Sequence, residues 1–108
     1  MASTSFRVEH EQVLVTTDGE LDMATAGGLR ECLVQACEQG LPVVVDFAAV
    51  TFVDSSALAV LASANRHIRD NDCHLTVINC SPRVLTTMTL TGLVAVIDVR
   101  QAAPEDAE

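Results

Sequence analysis

Apolar positions along this chain fall into two rhythms that alternate. Phe6–His10 and Val13–Thr17 read as short strands, with Glu11-Gln12 between them as a tight hairpin. Asp18-Gly19 marks a turn or a bulge. The rhythm then changes. Leu29, Cys32, Leu33, Ala36 and Cys37 recur at three and four, which predicts a helix over Met23–Glu38 with Asp22 as its N-cap and Gly40 as its C′ residue. Gly27 and Gly28 fall in its first turns, where each costs up to about 1 kcal/mol against Ala, so close packing or an adaptable helix start is expected there. Leu41–Phe47 is a β-branched run typical of a strand buried on both faces, followed by a loop over Ala48–Val53. Ser55–Asp70 predicts a second helix, with Leu58, Leu61, Ala64 and Ile68 inward and Ser56, Ala59, Ser63 and Arg66 on the opposite face. Cys73–Asn79 reads as a strand. Ser81-Pro82 opens a third helix to about Leu90, with Val84, Leu85 and Met88 inward, and Thr91-Gly92 ends it. Val94–Val99 reads as the last strand.

The order β-β-α-β-α-β-α-β predicts a mostly parallel sheet with right-handed crossovers, made mixed by its N-terminal strand. With only three helices, one sheet face should be better covered than the other. The 108 residues make one domain, with an ordered core over about 6–100 and an acidic, disordered tail over 101–108. Tryptophan and tyrosine are absent, so the core must be aliphatic.

Charge narrows the function. The net charge is −9 and every basic residue other than histidine is Arg, which argues against nucleic acid and against an anionic membrane as partners. No apolar run approaches the roughly 20 residues of a membrane span. The N-terminal MASTSFRVEHEQ has no apolar h-region, so a cytoplasmic location is expected. The cysteines at 32, 37, 73 and 80 form no CxxC and read as reduced core residues. A metal site from His67, Cys73, His74 and Cys80 is disfavoured, because adjacent residues on a strand face opposite ways. No metal and no cofactor are expected.

The stretch TFVDSSALAVL, Thr51–Leu61, is where the chemistry concentrates. It follows a strand and opens a helix, and Asp22 and Ser81 hold equivalent places after two other strands. In open α/β sheets that edge is where sites gather. A nucleophilic serine would need GxSxG or a near histidine; the local sequence is V-D-S-S-A, and His67 lies roughly 18 Å along the helix that Ser55 begins. With no lysine there is no GxxxxGK[ST] loop either. No catalytic residue is expected. Two uses remain open for the joint. Asp54, with Ser55 and Ser56 in the first turn, can cap the helix. Alternatively, Ser55 can accept a phosphate, whose charge a helix N-terminus tolerates.

Three segments at consistent spacing make the chain resemble STAS domains, in particular bacterial anti-sigma factor antagonists. GELDMATA (Gly19–Ala26) is similar to G-E-L-D-x-x-T-A. VVVDFAAVTFVDSSALAVL carries the strand, the loop and a D-S-S-G-L in which Ala57 replaces the glycine. SPRVLTTMTLTGL (Ser81–Leu93) is similar to S-P-x-V followed by [ST]-G-L. The resemblance implies an α/β domain with a mixed, mostly parallel sheet of four to five strands and three to four helices. It implies a non-enzymatic antagonist that binds an anti-sigma factor, itself a serine kinase, and so releases a sigma factor. Phosphorylation of Ser55 would switch it off and a phosphatase would reverse this. Asp22, Met23, Thr25, Asp54, Ser55, Ser56, Ala59 and Ser63 would form the docking surface of a monomer or weak dimer. Ala57 would add a methyl near that face. The alternative within the fold is an adaptor subunit of an ABC-type lipid transporter, docking on the ATPase without a phospho-switch.

Overall fold

Alternating polar and apolar residues at the N-terminus close into a hairpin. In a computed structural model of the chain, which describes residues 3–101, β1 (Thr4–Glu9) pairs antiparallel with β2 (Gln12–Leu21). The turn is His10-Glu11, both with left-handed φ (52° and 59°), the twist-matched geometry of a two-residue hairpin. It lies one residue earlier than the expected Glu11-Gln12. Then follow α1 (Ala26–Cys37), β3 (Val43–Val53), α2 (Ser55–Asp70), β4 (Leu75–Ile78), α3 (Pro82–Leu90), a 3-10 turn (Leu93–Ala95) and β5 (Asp98–Arg100). The strands lie in chain order across one sheet, and β2 to β5 run parallel. Of the expected 101–108 tail, all but Gln101 lies outside the described residues.

All three helices share one core with one face of the sheet. Leu29 and Leu33 of α1, Leu58 and Leu61 of α2, and Val84 and Met88 of α3 pack with Val13, Val15, Val43, Val45, Leu75 and Val77. Among the described residues, the other face carries a short apolar strip, Leu14, Val44 and Ile78. Next to it, Asp98 on β5 accepts hydrogen bonds from His74 (2.8 Å), from Arg100 Nε (3.0 Å to Oδ2) and from Thr76 Oγ1 (3.4 Å). Burial raises the Asp98 pKa, but the hydrogen bonds and positive charges of Arg100 and His74 outweigh it and hold the carboxyl below its ordinary value. His74 therefore faces the open side, while Cys73 packs against the core, as neighbours on an extended segment must. All four cysteines are free thiols. Burial pushes Cys32 up, and it pushes Cys80 up to about 11. They pack as small apolar residues.

Several boundaries differ from the sequence expectation. β2 runs on to Leu21 and β3 to Val53, so Ala48–Val53 is strand and not loop. The reason is two irregularities. Between the Thr16–Asp46 and Asp18–Ala49 pairs, and again between Gly19–Val50 and Glu20–Phe52, β3 takes one residue more than β2. Each extra residue breaks the period-two alternation that marks a strand. Asp18-Gly19 is thus neither turn nor bulge but lies within β2, opposite the bulged stretch of β3. α1 starts at Ala26, three residues after the expected Met23. Gly40 keeps its left-handed φ of 70°, one position past C′ because Glu38 is the C-cap. β4 is shorter than Cys73–Asn79. Val94–Val99 is mostly not a strand. Leu93 and Ile97 are buried at helical spacing, Ile97 N–H donates to the Leu93 carbonyl (3.0 Å), and only Asp98–Arg100 joins the sheet.

Candidate functional site

The carboxyl ends of β2 and β3 lie side by side, with Leu21 paired to Val53. Two acidic residues follow directly, and each builds a turn. Asp54 has extended backbone and caps α2: its Oδ1 accepts from Ser56 N–H (2.8 Å) and Ala57 N–H (3.2 Å). Its own N–H donates to the Leu21 carbonyl (3.0 Å), which ties the α2 cap to the end of β2. Asp22 Oδ1 accepts from Ala24 N–H (3.0 Å) and Thr25 N–H (3.2 Å). Thr25 Oγ1 lies 2.9 Å from the Glu20 carbonyl, its donor contact, and accepts from Asp22 N–H at 2.9 Å. Asp22 therefore organises a turn before α1 and does not cap the helix; the N-cap position is Thr25, with no side-chain cap bond.

This arrangement assigns the helix cap to Asp54. Asp54 alone carries the cap. Ser55 is the first helical residue, is exposed, and its hydroxyl makes no hydrogen bond among the described residues. It is free for chemistry that does not disturb the cap. The Asp54 carboxylate complements the positive end of α2, and His67 and Arg69 in the last turn complement the negative end. Ser56 is half-buried, and Ala59 and Ser63 are exposed. Asp22 and Thr25 are half-buried within their turn, and Met23 projects from it 82% exposed. All eight residues of the expected docking surface thus reach solvent at least in part, but Asp22, Thr25 and Asp54 spend their side chains on turn geometry. Ala57 is fully buried, so its methyl points into the core and adds nothing to the docking face. That corrects the expectation drawn from the missing glycine.

Two exposed neighbours escaped the sequence reading. Phe52 sits on β3 three residues before Ser55, and Arg83 of α3 stacks over its ring at 5.8 Å from the centroid. An exposed aromatic beside a candidate site was a usable signal; its pairing with Arg83 was not, because it is made by the fold.

Gly27 and Gly28 are exposed, and a Cβ at either would meet nothing within 4 Å. Close packing therefore does not explain them. Among the described residues no group of three or more His, Cys, Asp or Glu is arranged to hold a metal ion, and no helix is long and apolar enough to cross a membrane.

An edge built of two acid-organised turns and an exposed helix-opening serine, on a five-stranded sheet covered on one face, defines the class. The STAS domain family matches over residues 4–105, and the chain belongs to it. Within that family the chain is 31% identical over 87 residues to the anti-sigma-B factor antagonist of Bacillus subtilis (strain 168), covering 81% of this chain and 80% of that one. An anti-sigma factor antagonist from Mycobacterium paratuberculosis superposes with a TM-score of 0.85 at 24% identity, covering 98% and 90% of the two chains. The Bacillus cell fate determinant SpoIIAA, solved in its phosphorylated form, superposes with a TM-score of 0.71 at 22% identity, covering 96% and 95%.

Proposed function

We propose that this protein is an anti-sigma factor antagonist: a regulatory binding protein that docks on an anti-sigma factor and so frees the sigma factor it holds. The relatives favour this over the transporter-adaptor alternative, since those of Bacillus subtilis and Listeria monocytogenes are both named anti-sigma-B factor antagonists. We propose further that the anti-sigma factor is a serine kinase, that it phosphorylates Ser55, and that a phosphatase restores the active form. The observation that carries the switch is the division of labour at the α2 start. Asp54 holds the cap, and Ser55 stands exposed with an uncommitted hydroxyl.

Phosphorylation there adds about two negative charges next to Asp54 and near Asp22. The cap already occupies the Ser56 and Ala57 N–H groups, so the phosphate stays outside it, facing the partner. A partner fitted to a small neutral hydroxyl meets bulk and charge, while the fold is unchanged. The test is intact and peptide mass after incubation with ATP and an extract of the source organism. One phosphate on Ser55, absent from Ser55→Ala, is the expected result. No phosphate, in an extract that phosphorylates a control antagonist, would overturn the switch.

A further inference from the structure

Ser63 does more than extend the exposed face of α2. It stands at the mouth of a groove between α1 and α2, with a volume of about 240 Å³. Leu33 and Val60, both nearly fully buried, lie at its base, and Val34, 50% exposed, forms a wall. Arg30 and His67 stand exposed at its rim. The groove is continuous with the candidate docking surface. Ser56, Ala59, Ser63 and His67 recur every three or four residues, one stripe that runs along α2 from the turn holding Ser55. That stripe spans about 16 Å at 1.5 Å per residue.

We propose that this groove is the second anchor point for the anti-sigma kinase, an inference that rests on the function proposed above. Its occupant is an exposed apolar side chain of the kinase with a carboxylate beside it. The aliphatic base takes the apolar group, in the manner of a buried interface anchor. Arg30 carries the positive charge at the rim and His67 adds a ring N–H donor, and together they select the carboxylate on a chain whose net charge, with histidine neutral, is −9. Ser55 then reports whether the kinase may bind, and the groove fixes where it binds. A phosphate at Ser55 acts on one end of a contact whose other end lies far enough away to be unaffected by it.

The test follows Ser55 phosphorylation by the source-organism extract with ATP, at increasing concentrations of the antagonist. Val34→Glu places a charge on a half-exposed wall and should leave the circular dichroism melt unchanged. The concentration giving half-maximal phosphorylation should rise at least about ten-fold, with the saturated rate unaltered. Ser63→Phe, which plugs the mouth, should do the same. Leu90→Glu, an equal change of polarity on exposed α3, should have no effect. Half-saturation of Val34→Glu and Ser63→Phe equal to that of the wild type would overturn the groove while leaving the switch intact. So would an equal rise in Leu90→Glu. Sedimentation showing a wild-type dimer that Val34→Glu dissociates would assign the groove to a second copy and likewise overturn the proposal. Absence of phosphate from the wild type would instead remove the function on which the groove depends.

Discussion

Two helix starts face each other across this sheet edge, and they are built in opposite ways. At α2 a single carboxylate locks the first turn through two N–H groups, and no glycine interrupts the helix. At α1 the carboxylate of Asp22 serves a turn outside the helix, the N-cap Thr25 makes no side-chain cap bond, and Gly27 and Gly28 follow at once. The α2 start is fixed and presents Ser55 in one position. The α1 start, with Met23 projecting from the turn before it, lacks a cap bond and has two glycines among its first three residues. In the function proposed above, the capped start would hold the Ser55 hydroxyl still while the uncapped, glycine-containing start adapts to the partner.

The largest test removes what anchors the fixed half. Leu61 is fully buried under α2, so Leu61→Ala should cost about 2–5 kcal/mol and show as a lower denaturation midpoint. The second asks whether the caps differ as described. Asp54→Ala should cost about 1 kcal/mol in thermal melts. Asp22→Ala should cost less, because its carboxylate bonds no N–H of the helix proper. Equal costs would erase the contrast between the two starts. The third reverses the yielding half. Gly28→Ala has open space for its methyl and should stabilise by up to about 1 kcal/mol. If adaptability matters there, the same variant should bind its partner less well.

The contrast was only half legible in the sequence. α2 was readable to the residue, because an Asp-Ser-Ser joint and a stripe of leucines at helical spacing agree on its start and its face. α1 was misread at its start, because an Asp four residues before a helix looks the same in sequence whether it caps the helix or a preceding turn. The end of β3 was illegible for a different reason: two extra residues against β2 scramble the alternation over Ala48–Val53. Val94–Ile97 misled in the other direction, since its β-branched residues lie in and just after the 3-10 turn Leu93–Ala95, where Leu93 and Ile97 are buried at helical spacing. The groove was hidden entirely. Val34 and Ser63 come from different helices, and nothing in either segment alone announces that they line one groove.

A smaller effect probes a region away from both starts. Asp98 ties β5 to His74 and to Thr76 of β4, Arg100 pairs with it from within β5, and its folded pKa lies below the ordinary carboxylate value. A depressed carboxyl stabilises above its unfolded pKa and loses that contribution as pH falls through the folded value. Stability should therefore drop in the acid range below the ordinary value of 3.8. Asp98→Asn should flatten that part of the pH profile. The sheet edge at Ser55 should not follow it.

The smallest expected change is the most informative. Ser55→Ala should leave stability within about 0.5 kcal/mol of the wild type, because the serine is exposed and Asp54 carries the cap. Alanine is also the better helix former, which can only help. A drop as large as that of Asp54→Ala would mean that Ser55 takes part in the cap, and the separation of cap from acceptor would fail. Stability unchanged together with loss of the phosphate separates the two roles by experiment. Ser55→Asp then adds the last constraint. It should fold as the wild type does and bind the partner more weakly, since the cap sits on Asp54 and the new charge sits outside it. A residue that can be neutral, charged or absent without cost to the fold can be set by a kinase and reset by a phosphatase while the rest of the domain stays as it is.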